Sequence, residues 1–97
     1  MKEALSKELH DLHRALLSLQ TEEECAAFLE DICTVKEMRD LAQRLEVARM
    51  LADGEKYKKI EETAGASTVT ISRVKRSLDY GSGGYEMVLE RLAEKGE

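Results

Sequence analysis

Residues 61–78 read EETAGASTVTISRVKRSL, and the reading of this stretch decides the fold. Gly65 divides two short apolar patterns. Before it, Ile60 and Ala64 fall four apart, on one helix face. After it, Ile71, Val74 and Leu78 fall at i, i+3 and i+7. Glycine accepts the left-handed backbone that a tight turn between helices demands. Ser67, or Thr68, can cap the second helix by accepting from an unpaired amide of its first turn. Two short helices joined by such a turn form a helix-turn-helix. Ile60, Ala64, Ala66, Ile71 and Val74 supply the small and apolar positions through which they cross. Glu61 stands where many such motifs carry a small residue.

The second helix then turns Thr68, Val69, Ser72, Arg73, Lys75 and Arg76 outward. Its small, hydroxyl-rich start suits close entry into a DNA major groove. Threonine and serine hydroxyls can bond base edges or phosphates, Val69 can touch a thymine methyl, and Arg73 and Arg76 can reach guanine or phosphate. With Lys58 on the first helix and Ser67 at the cap, these are the candidate DNA-binding residues. The alternative for such a face is an ordinary solvated helix, or a surface for another protein.

The formal charge of the chain is -5, which does not suit a nucleic-acid partner at first sight. The distribution does. Residues 55–80 carry six cations and four acids, a local +2, which leaves -7 on the remainder. Phosphate attraction depends on the face presented rather than on the total. Double-stranded DNA is the expected partner. RNA or single strands would call for grouped exposed aromatics, and Phe28, Tyr57, Tyr80 and Tyr85 are scattered.

The remaining pattern is helical throughout. Leu5, Leu9, Leu12, Leu16 and Leu19 step by four, three, four and three along a helix over residues 2–19, a heptad-like seam. Core packing within one chain and packing against a second chain both account for it. Thr21 to Glu24 and Thr34 to Glu37 have the spacing of capping boxes. The first opens a helix that carries Phe28, Leu29 and Ile32 inward and stops near Cys33. The second opens a long helix to about Asp53, with Met38, Leu41, Leu45, Ala48 and Leu51 as its stripe and Gly54 as its stop. After a short helix over Tyr57–Ala64, the helix that follows the glycine turn runs to about Leu78. Gly81-Ser82-Gly83-Gly84 follows no strand and reads as a hinge, not a phosphate loop. A last helix covers Tyr85 to about Glu94, with Met87, Val88, Leu89 and Leu92 available for packing. There is no strand pattern, no internal repeat and no proline, so the class is all-α. Ninety-seven residues allow a single domain. It divides into dimerisation helices (1–54), helix-turn-helix (55–80) and C-terminal helix (81–97).

Several classes drop out. No apolar run approaches the roughly 18 residues of a membrane span, and MKEALSKELHDLH lacks a signal-peptide core. A cytoplasmic chain is expected, without a membrane partner. Cys25 and Cys33 are read as two small buried hydrophobes in a reducing compartment. His10 and His13 have no cysteine or acid motif matched to them, so no metal site is indicated. No nucleophile pairs with a base, and an enzyme is not expected.

The run GASTVTISRVKRSLDYG, residues 65–81, resembles the tryptophan-repressor family, and within it a small Trp-repressor-like branch. The resemblance spans about residues 20–92 and is strongest over Arg44–Leu51 and Gly65–Tyr85. It implies a six-helix fold with a C-terminal helix-turn-helix, whose N-terminal helices interlock in a homodimer. It implies a transcriptional regulator, a repressor by family, that reads a near-palindromic operator. Tryptophan-binding members hold the indole between two arginines, whose places match Arg44 and Arg73, with a threonine matching Thr34. A glycine follows the second arginine in those members; here it is Val74, which fills part of that space. Thr34, Arg44, Arg73 and Val74 thus outline a ligand pocket. The chain is expected to need no cofactor, Val74 counting against tryptophan, while a different small-molecule effector stays open.

Overall fold

The computed structural model describes residues 2–96. They form α1 (Lys2–Leu17), α2 (Glu22–Ile32), α3 (Val35–Ala52), α4 (Tyr57–Ala64), α5 (Thr68–Tyr80) and α6 (Gly84–Glu94), with no strand among the described residues. Local chemistry sets the boundaries. α1 stops at Leu17, two residues short of the seam's last leucine. There the Leu19 N–H bonds the Leu16 carbonyl at 3.2 Å, and the Ser18 hydroxyl donates to the Ala15 carbonyl at 2.6 Å. Both bonds tighten the last turn.

The two capping boxes differ. At α3 the exchange is reciprocal: Thr34 Oγ1 accepts from the Glu37 N–H at 3.1 Å, and the Glu37 carboxylate accepts from the Thr34 N–H at 2.8 Å. At α2, Thr21 Oγ1 accepts from the Glu24 N–H at 3.1 Å, but the Glu24 carboxylate reaches past Thr21 to the Gln20 N–H, at 2.8 Å. Glu22, Glu23 and Glu24 place negative charge at the positive end of the α2 dipole. α5 runs to Tyr80, two residues past Leu78, and closes with the Gly81 N–H on the Ser77 carbonyl at 2.9 Å.

The chain divides into two compact units, one ending at Met38 and one starting at Arg39. In the first, α2 buries no side chain. Leu5, Leu9, Leu16 and Ile32 are exposed, while Leu12, Leu19, Phe28 and Leu29 are half-buried. The inward set expected of α2 is therefore met by Phe28 and Leu29 and not by Ile32. The cysteine expectation is corrected for the same reason: Cys25 is exposed and Cys33 half-buried, both as free thiols.

The second unit holds the buried core. Val47, Ala48 and Met50 of α3 meet Ile60 of α4, Ala66 of the turn, and Ile71 and Val74 of α5. Leu51, Ala64, Leu78, Tyr85 and Leu89 pack around them, and among the described residues no polar side chain is buried. Ile60 and Ile71 are wholly enclosed, and burial of each side chain contributes about 2–3 kcal/mol. The α3 stripe lies elsewhere than its spacing suggested. Ala48 and Leu51 join the core, but Leu41 and Leu45 are exposed, and Val47 and Met50 take the inward places. The α4–α5 pair and α6 fix which side of α3 is covered. In α6, Leu89 packs on the core while Met87 and Val88 stay exposed.

Candidate nucleic-acid interface

The interface is built on the α4–α5 corner. Gly65 has φ 67° and ψ 21°, the left-handed region, and its N–H closes α4 on the Glu61 carbonyl at 3.0 Å. A β-carbon there would meet nothing within 4 Å, so glycine is needed for its backbone and not for space. Ala66 then drops into the core. Ser67 caps α5: its Oγ accepts from the Thr70 N–H at 3.2 Å and donates to Thr70 Oγ1, also at 3.2 Å. The Gln43 side-chain amide donates to the Ala64 carbonyl at 3.2 Å, tying α3 to the last residue of α4. Across the corner, buried Ile60 and Ile71 lock the two helices.

With Ile71 and Val74 buried and Leu78 against the core, the opposite side of α5 is its free face. Val69, Arg73, Arg76 and Tyr80 lie along it at i, i+4, i+7 and i+11, with Ser72 on its flank. The stripe is about 16 Å long at 1.5 Å per residue. Val69 is 57% exposed and Tyr80 85%. Thr68, Val69, Ser72, Arg73 and Arg76 line one shallow concavity of about 350 Å³. Among the described residues no carboxylate lies within ion-pair distance of Arg73 or Arg76. Two guanidinium groups are thus presented with their charge uncompensated.

Not every candidate joins this stripe. Lys75 is turned aside, where its Nζ pairs with Asp79 Oδ2 at 3.0 Å, beside Leu78, Glu86 and Leu89. The hydrogen bond to Asp79, and then its charge, raise the Lys75 pKa. The Ser67 hydroxyl is engaged in the cap. Lys58 is exposed on α4 with no ion-pair partner among the described residues, whereas Lys59 pairs with Glu55 at 3.3 Å. Tyr80 is the residue that sequence reasoning passed over. Its signal was its place eleven residues after Val69, masked by the expectation that the helix ends at Leu78.

On the flank of α5, Arg44, Thr70, Arg73, Val74, Ser77 and Tyr85 line a cavity of about 330 Å³. Arg44 likewise has no carboxylate partner among the described residues. Val74 is only 3% exposed, so its side chain fills space between the core and the cavity wall. Thr70 and Ser77 share this wall with Arg73 at i−3 and i+4, a relation legible in the sequence. Tyr85 arrives from α6 and was not. Thr34 belongs to the first unit, where its hydroxyl caps α3.

This geometry defines a small all-α protein with a helix-turn-helix near its C-terminus. The sequence model of the Trp repressor protein family matches residues 7–93, and the chain belongs to that family. The uncharacterized protein YerC of Bacillus subtilis (strain 168) is 58% identical over 88 residues, which cover 91% of this chain and 85% of that protein. A candidate Trp repressor from Staphylococcus aureus superposes with a TM-score of 0.87 at 49% identity, covering 90% of this chain and 87% of that one. A TrpR-like protein from Eubacterium eligens ATCC 27750 gives the same TM-score and identity, over 90% of each chain. The family is one of DNA-binding regulators, not of enzymes. Among the described residues no helix is long and apolar enough to cross a membrane, and no group of three or more His, Cys, Asp or Glu side chains is placed to hold a metal ion.

Proposed function

We propose that this protein is a homodimeric repressor of transcription that reads a near-palindromic operator in double-stranded DNA and acts in the cytoplasm. One observation carries the reading: the outward stripe of α5, where Arg73 and Arg76, without a carboxylate partner among the described residues, follow Thr68, Val69 and Ser72 on the second helix of a helix-turn-helix. Arginine forks suit phosphate and guanine, and the small first turn suits the groove floor. Lys58 reaches the phosphate backbone from α4.

The dimer is supported by the first unit, where Leu5, Leu9 and Leu16 of the leucine seam stay exposed in the single chain. A second copy supplies the missing cover. Two-fold symmetry then sets two α5 helices about 34 Å apart, one turn of DNA. Buried Val74 supports reading without tryptophan, because its side chain holds α5 against the core from inside. The cavity between Arg44 and Arg73 leaves room for a smaller, differently shaped effector.

Selection of random duplex DNA on the purified protein, at about 0.15 M salt and with and without tryptophan, tests this. A near-palindrome is expected in both arms. Arg73→Ala and Arg76→Ala are expected to weaken its binding and flatten the salt dependence while the dimer survives. Absence of any enriched sequence, with the dimer intact, favours a module that binds another protein instead.

A further inference from the structure

We infer that Val69 makes this protein a reader of the thymine C5-methyl group, and that each half-site therefore contains a thymine whose methyl group sets affinity. The inference rests on the DNA-reading proposal and adds the base it discriminates. On the outward stripe Val69 is the one aliphatic side chain, 57% exposed in the first turn of α5. Around it the same concavity is lined by Thr68, Ser72, Arg73 and Arg76. An exposed branched side chain among polar neighbours gains nothing from water. In the major groove it finds one apolar feature only, the thymine methyl.

The surroundings sharpen the discrimination. Arg73 and Arg76 lie one and two turns further along the stripe and, held by phosphate or guanine, fix how deep the first turn sits. Val69 is then pressed on a single base step. Over thymine its methyls cover another methyl. Over guanine, or over the amino group of cytosine, they cover a hydrogen-bonding group without pairing it, which costs affinity. One branched side chain thus rewards thymine and penalises its competitors.

The test uses the duplex recovered by selection. Each thymine is replaced in turn by deoxyuridine, which removes the methyl group and leaves pairing unchanged. Binding is measured for the wild type and for Val69→Ala, whose exposed position spares the fold. At one thymine per half-site the wild type is expected to lose about fourfold, and about fifteenfold when both half-sites are changed. The same replacement is expected to cost Val69→Ala less than twofold. If the wild type tolerates deoxyuridine everywhere, or if the loss persists undiminished in Val69→Ala, the assignment of Val69 is overturned and DNA reading stands. If no duplex is recovered, DNA reading falls and the assignment falls with it.

Discussion

The side-chain amide of Gln43 donates to the carbonyl of Ala64 at 3.2 Å, joining the middle of α3 to the last residue of α4, one position before the Gly65 turn. The bond anchors the corner from which α5 projects. Gln43→Leu is expected to cost about 1 kcal/mol, the usual net worth of such a bond. Urea unfolding checks the stability. DNA affinity is expected to fall several-fold at equal folded fraction, because the corner gains freedom; an unchanged affinity would show that the buried core around Ile60 and Ile71 alone holds it.

The two glycines that bound α5 are expected to respond differently to alanine. At Gly65 the penalty is the left-handed backbone alone, since a β-carbon there would have open space. Gly65→Ala should cost about 1 kcal/mol, and Gly65→Asn less. At Gly81 a β-carbon would clash with the Ser77 carbonyl oxygen, the acceptor of Gly81's own N–H. Gly81→Ala should therefore break that bond and shift the end of α5, at about 2 kcal/mol or more. Denaturant midpoints with unchanged slopes would rank the two.

Val74→Gly removes a nearly enclosed side chain and puts glycine inside a helix. A loss of roughly 2–4 kcal/mol is expected. If Val74 replaces an external ligand, the wild type should give no saturable heat with tryptophan, and its DNA binding should not respond to tryptophan. Val74→Gly should lose DNA affinity beyond its loss of stability. Saturable tryptophan binding that Val74→Gly leaves unchanged would show that Val74 does not take a ligand's place.

Leu9→Glu places a charge in the exposed leucine seam of α1. Nothing in the single chain buries Leu9, so the helical signal in circular dichroism should be largely retained while the particle halves in mass by sedimentation. Cooperative binding to a two-half-site duplex should disappear with it. A dimer that survives the substitution would move the interface elsewhere.

Local chemistry written in the sequence determined the helices. Proline-free apolar periodicity, Thr21, Thr34 and Ser67 as caps, and Gly65 at the turn place the helix-turn-helix, because each acts within four residues of chain. The outward set of α5 was legible for the same reason, apart from Tyr80, which was missed, and Lys75, which pairs with Asp79 four residues on. Tertiary structure decided which apolar residues of α3 are inward: Val47 and Met50 are buried while Leu41 and Leu45 are not, although all four share one helical sequence. It brought Tyr85 of α6 to the cavity beside Arg44 and Arg73. Periodicity defines a face, but which face is covered depends on elements distant along the chain, and those distances carry no local signal.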